Sequence, residues 1–327
     1  MLETAKPTTL VGFSMDGCPA WQTRPKYTVN PLLLFPDFSL IALGYLLKRF
    51  WMPPQAWVTI EKLVYFVLFP CLLFHSVAMS PVNLNTVGAF ALGGPLVITV
   101  SFIAGWAGRW ISPMGRIDFA SGLQTAYRFN SYIGLALASR LGGPEGVANL
   151  AILLALGVPL CNMLAVGSMS RGNIWGVLGD IVRNPLIIGT LLGLFAKLLQ
   201  IDIPHPVQLT LERLAQAAVA LGLLAVGAGL VFSGIRGHWS VSIWWLGLKL
   251  IASPALALAY AHWVQLPVEQ TRVLLVFSAL PSASSAYILA ARMGGNAPLV
   301  ACLISLSTVG AAFTLPLVFT LAQPHLN

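Results

Sequence analysis

"FSALPSASSAYILAARMGG", residues 277–295, lies within an apolar stretch long enough to cross a membrane, yet it holds a proline, four serines, a tyrosine and an arginine. Hydrocarbon offers no hydrogen bonds, so a membrane helix must satisfy its own backbone. Pro281 removes one of those bonds and its ring collides with the preceding turn. Irregular backbone at membrane depth is tolerated only where it is buried in protein or lines a cavity. The stretch therefore reads as an interrupted span with a reason for its interruption.

Its surroundings set the class. The chain is 57% hydrophobic and 9% charged, against about 25% charged residues in soluble domains. Apolar runs of about 18 residues recur along it, each able to span a hydrocarbon core of roughly 30 Å. We read an all-α polytopic membrane protein with ten transmembrane helices, at about 31–48, 57–79, 86–110, 118–141, 146–169, 181–200, 212–234, 241–264, 270–293 and 298–322. Turn signals at Pro53-Pro54, Ser80-Pro81, Ser112-Pro113, Gly142-Gly143-Pro144 and Gly294-Gly295 separate several of them. Residues 1–30 form a polar leader that lacks a signal peptide's basic start and short apolar core, and it reads as disordered or as an over-extended start.

The net charge of +8 is spread through short loops, which is how orientation is encoded, so nucleic acid is not an implied partner. Sorted by side, Lys and Arg fall 7 against 9, or 4 against 9 without the leader. That bias puts both termini outside and the 171–180 connection in the cytoplasm. Cys18, Cys71, Cys161 and Cys302 make no CxxC pair, so neither disulfide nor metal site is implied, and no cofactor motif is present.

The chain also resembles itself. "YIGLALASRLGG" (132–143) parallels "YILAARMGG" (287–295) at an offset of 152 residues. Glu61-Lys62-Leu63 falls on Glu212-Arg213-Leu214 at an offset of 151. The two matches define halves of five spans each, 31–170 and 181–323. Five is odd, so the second half enters the membrane inverted, a plan common among secondary transporters.

The repeat sets span 4 opposite span 9 and puts Phe129 on Pro281 and Asn130 on Ser282. Both spans are expected to break near residues 129–131 and 281–284 and to cross there. Half-helix N-termini would then offer partial positive charge, and Asn130, Ser131, Tyr132, Ser282, Ser284 and Ser285 neutral hydrogen-bonding groups. Serine and alanine in membrane helices most often only mediate packing; the matched defect in the repeat-related span favours a binding site. Arg128 either meets a substrate carboxylate or satisfies backbone carbonyls. Lys249 reads as packing or snorkelling, and His75 and His262 as hydrogen-bonded core or interface residues rather than proton relays. No acidic residue falls mid-span, which favours an anionic solute over a cation.

The stretches "AYRFNSYIGLALA" (126–138), "RNPLIIGTLLGL" (183–194) and "SALPSASSAYILAARMGG" (278–295) resemble the auxin efflux carrier family, in particular its bacterial malate or malonate permeases. The resemblance covers roughly 31–322. It implies an NhaA-like crossover fold with broken spans 4 and 9, a scaffold of spans 1, 2, 6 and 7 that also forms a homodimer, and an elevator-like transport domain of spans 3–5 and 8–10. The family's crossover asparagine falls on Asn130 and its span-9 proline on Pro281. Plant members often have proline directly before that asparagine, where this chain has Phe129, so span 4 is expected to break less sharply than span 9.

The reading is a secondary transporter or facilitator for a small organic anion, a carboxylate such as malate, malonate or an auxin-like acid, in a bacterial inner membrane. Short loops make auxin itself a poor choice. Coupling to a proton or a sodium ion stays open. A sodium-coupled symporter of bile-acid type and a non-transporting sensor are the alternatives. An intramembrane enzyme would need paired acids or a histidine-based site, and no such pattern is visible.

Overall fold

The computed structural model of the protein describes residues 35–79, 87–169, 185–233 and 238–326. The expected leader, Cys18 and the 171–180 connection lie outside the described residues. Those residues form helices and connections only. They are α1 (Phe35–Phe50), α2 (Pro54–Met79), α3 (Val87–Trp106), α4 (Arg116–Tyr127), α5 (Ser131–Met169), α6 (Pro185–Leu198), α7 (His205–Ala228), α8 (Trp239–Trp263), α9 (Val268–Ala279), α10 (Ser284–Arg292) and α11 (Ala297–Leu326).

Six helical runs among the described residues are long and apolar enough to cross a bilayer, and α9 with α10 makes a seventh, bent by 41°. One of the six, Arg116–Met169, has 54 residues. A straight helix of that length would reach about 80 Å, well over twice the hydrocarbon thickness. It is cut at 128–130 and again inside α5 at Gly143, whose φ of 54° and ψ of −144° no helix accommodates. Gly294, in the matching Gly-Gly pair, also has positive φ (69°). Glycine is needed at such turns because a Cβ would collide with the backbone.

The outer surface is apolar, with Leu92, Ile103, Phe195, Ile243, Ile251, Phe313 and Leu317 all exposed. Exposed Trp51, Trp110, Trp239 and Trp263 stand at helix ends, where an amphipathic ring suits the boundary between lipid and water. This is the inverse of a soluble protein's surface, and it makes the molecule an integral membrane protein.

Two prolines inside helices are absorbed by local rewinding. Pro70 and Pro254 follow π-helical turns at Val64–Leu68 and Leu248–Ala252, which give room where the proline lacks its N–H. Ser253 adds its hydroxyl to the Leu248 carbonyl at 2.9 Å.

α7 corrects the expected boundaries of 212–234. It starts at His205, because Pro206 sits in the first turn, where a missing N–H costs nothing, and it ends at Ala228 on Gly229. Its first turns expose His205, Pro206 and Thr210 ahead of the expected start, which kept them out of an apolar-run reading.

Packing is reciprocal. α1 packs on α7 while α2 packs on α6; α3 packs on α4 while α8 packs on α9; α4 meets α11 while α9 meets α5. The close pairs rely on glycine. A Cβ on Gly44 would overlap the Leu224 carbonyl, and one on Gly189 would lie 2.7 Å from the Pro70 carbonyl oxygen. Small residues let membrane helices approach this closely and gain dispersion contacts, since apolar lipid supplies no hydrophobic drive between them.

Gly189→Leu should therefore separate α6 from α2 and destabilise the protein by about 1–3 kcal/mol, seen as earlier thermal unfolding in detergent. Gly88→Leu, where a Cβ meets nothing within 4 Å, is the control and should unfold as the parent does. Equal behaviour of the two variants would contradict this packing.

Candidate functional site

Two non-helical stretches lie against each other inside the molecule. α4 ends at Tyr127 and α5 begins at Ser131; α9 ends at Ala279 and α10 begins at Ser284. Arg128 and Ala283 are extended, at φ −71°, ψ 153° and φ −88°, ψ 143°. The interruptions fall at 128–130 and 280–283, beside the positions the sequence singles out.

Each break leaves backbone groups without helical partners, and the other break supplies several. The Asn130 N–H donates to the Pro281 carbonyl at 2.8 Å. The Ser282 hydroxyl donates to the Thr125 carbonyl, which an unbroken helix would have given to residue 129. The Ser282 N–H donates to Ser307 Oγ on α11 at 3.1 Å. Lys249 Nζ donates to the Ser278 carbonyl at the end of α9, at 3.2 Å.

Asn130 also caps α5. Its Oδ1 accepts from the N–H groups of Tyr132 (3.0 Å) and Ile133 (3.3 Å). Those donors fix the amide's orientation, so the Nδ2 end points away from the helix start. α10 has no side-chain cap at all, and Ser284 and Ser285 in its first turn are exposed.

Arg128 is 4% exposed. Its Nη1 donates to Ser285 Oγ at 3.0 Å and its Nη2 to Asn162 Oδ1 at 2.9 Å. Both partners are neutral, and Nε is buried with no hydrogen-bond partner. The two ion pairs among the described residues, Arg140–Asp37 and Arg272–Glu269, do not include Arg128. The Nη1 and Nη2 hydrogen bonds go to side chains rather than to the backbone carbonyls that the sequence offered as one alternative. Lys249, expected to snorkel or pack, is 2% exposed. It turns inward because the break in α9 leaves a carbonyl there to satisfy. Tyr127 Oη, one residue before Arg128, and Asn149 Oδ1 on α5 are also buried without hydrogen-bond partners.

The remaining sequence candidates divide. Arg128 and Ser285 are joined directly, and so are Asn130 and Pro281. Ser282 is fully buried and both its groups are used inside the protein. Ser131 is half-buried; the Tyr132 ring lies 4.8 Å from that of Phe69 on α2. Phe129 packs its ring 4.4 Å from Phe277. α4 thus breaks without a proline, over three residues against four in the α9–α10 break. His75 is half-buried and His262 exposed. Cys71, Cys161 and Cys302 are free thiols. Among the described residues no group of three or more His, Cys, Asp or Glu could hold a metal.

Sequence reasoning missed Asn162, a lone amide in the apolar run 151–169, and Asp37, which is buried against Arg140. A polar side chain inside such a run was the available signal for Asn162. Nothing local distinguished Asp37.

The fold and this crossing define a polytopic α-helical membrane protein with a buried polar locus where two broken helices meet. Residues 174–319 match the family described as "Membrane transport protein". A protein of Rhizobium meliloti (strain 1021) named "Putative malonate transporter" is 27% identical over 303 residues, covering 85% of this chain and 92% of the relative. Over those residues the chain is similar to this family of membrane transport proteins, and the family and the relative's name both point to a transporter and not an enzyme.

Asn130→Ala removes the acceptor of two helix-start N–H groups and should destabilise the protein by about 1 kcal/mol. Asn130→Asp keeps the oxygen and should restore most of that loss in a thermal unfolding assay. Equal instability of both variants would mean that Oδ1 does not act as the cap.

Proposed function

We propose that the protein is a secondary transporter that moves a small organic anion through the crossing of the two broken helices by alternating access. The observation that carries the reading is Arg128: a buried guanidinium held by neutral groups, with no carboxylate paired to it among the described residues. A charge taken out of water without a counter-charge is costly, and an arriving carboxylate offsets that cost. The uncapped start of α10 adds partial positive charge on the same side of the break. Asn130, Arg128, Ser131, Tyr132, Pro281, Ser282, Ser284 and Ser285 form the proposed site, with Arg128, Ser284 and Ser285 contacting solute and Asn130, Pro281 and Ser282 holding the backbone open.

The substrate class is a carboxylate, malonate or malate before an auxin-like acid; the name carried by the Rhizobium meliloti relative supports that order. The architecture we propose is ten spans in two inverted halves, with Arg116–Met169 counted as two. Reciprocal helix packing supports it. So does the hydrogen bond between Ser101 and Ser253, 152 residues apart, at 2.9 Å, since repeat-related residues meet only near a two-fold axis. In this reading α1, α2, α6 and α7 form a scaffold that also dimerises, and the other helices move as one body. The basic loops face the cytoplasm and both termini face out of a bacterial inner membrane.

Proteoliposomes carrying the protein should exchange labelled malonate or malate. Arg128→Gln should raise the apparent KM about 10-fold or more, the order expected for losing a charge-assisted hydrogen bond. Asn130→Ala should reduce flux strongly. Binding without flux for a full panel of mono- and dicarboxylates, with and without sodium or a pH gradient, would make the protein a sensor instead.

A further inference from the structure

Among the described residues Asp37 is the one acidic side chain that is buried. It lies in the first turn of α1, and its Oδ1 accepts from Arg140 Nη2 at 2.8 Å. Its Oδ2 is buried with no hydrogen-bond partner. Arg140 closes the first arm of α5, three residues before the turn at Gly143, and keeps 30% of its side chain exposed. The pair thus joins α1 to the arm that begins at the Asn130 cap, and water reaches it along the guanidinium.

In the transport reading above, on which this inference rests, α1 belongs to the scaffold and α5 to the moving body. A pair across that boundary cannot persist through a stroke. Separating the two would leave an ionised Asp37 buried and unpaired, which is strongly unfavourable. A proton on Asp37 removes that penalty, because a neutral carboxyl has no charge to strand. We propose that the Asp37–Arg140 pair is a latch between scaffold and moving body, released when Asp37 takes up a proton from the water that Arg140 faces.

The surroundings leave this pair as the charged contact in control. The end of α7 and the stretch after it, Leu224–Phe232, which meet α1, carry no titratable side chain. Lys48, on α1 itself, stands about 16 Å further along the helix axis and donates to the Ala228 carbonyl. On α5, Glu145 lies beyond the Gly143 turn and is half-buried. Arg140 is therefore the charged group shown in contact with Asp37, and its loss or the protonation of Asp37 has the same effect on the latch.

Two experiments on the full chain in proteoliposomes test this. In a background with all four cysteines replaced by alanine, Asp37→Cys and Arg140→Cys are joined with a reducible bifunctional thiosulfonate. Malonate exchange should stop on joining and return on reduction; exchange at the unjoined rate would overturn the latch, since the two helices would then not move apart. Separately, the unsubstituted protein should exchange several-fold faster when the Arg140 side is acidified from pH 7.5 to pH 5.5. Asp37→Asn should be fast at both values. Acid activation retained in Asp37→Asn, or absent from the unsubstituted protein, overturns the proton release. If the unjoined and unsubstituted proteins exchange no anion at all, the transport reading itself falls and the latch with it; flux that ignores joining and pH sinks only the latch.

Discussion

A membrane helix that breaks must find partners for its freed N–H and C=O groups inside the protein, because the hydrocarbon has none to give. This protein breaks two helices and lets each repair part of the other. The Asn130 N–H goes to the Pro281 carbonyl, and the Ser282 hydroxyl goes to the Thr125 carbonyl. Lys249 and Ser307, from α8 and α11, take up the Ser278 carbonyl and the Ser282 N–H. The breaks are thus mutually dependent, and neither helix could keep its interruption if the other were straight.

The repair is incomplete on one side, and that asymmetry gives the locus its chemistry. α5 starts on a capped turn, whereas α10 starts uncapped beside exposed Ser284 and Ser285. Arg128 reaches across to Ser285 and to Asn162, with its Nε left bare. Two buried cations, Arg128 and Lys249, stand near the breaks with neutral partners. The electrostatic balance of the region is positive, which supports the anionic solute we propose for it.

Residue size sets how closely the helices pack. Gly44 and Gly189 bring α1 onto α7 and α6 onto α2 so closely that a methyl group would meet backbone. Contacts of that kind do not slide. α5, by contrast, meets α1 through the Arg140–Asp37 ion pair, whose release by one proton is the latch we propose. Transport proteins need both kinds of contact, because a rigid frame gives the moving part something to move against.

The class of protein was legible in the sequence, since length, apolar runs and the scarcity of charge are local facts that bilayer thickness converts into spans. Pro281 and the matched stretch around Asn130 also located both breaks, because a missing N–H in hydrocarbon is costly wherever the chain goes. Other features depended on which neighbour arrived. Ser282 looked like a solute ligand and is buried in backbone repair; Lys249 looked peripheral and is turned inward by a carbonyl from another helix. Asn162 and Asp37 acquired roles only through Arg128 and Arg140, 34 and 103 residues away. The sequence by itself marked the break at Pro281, whose missing N–H is its own backbone chemistry, and through the internal repeat the matching break at 128–130. Only the tertiary structure decided which groups repair each failure and which charge is left unmatched, because pairing depends on long-range approach that no local pattern encodes.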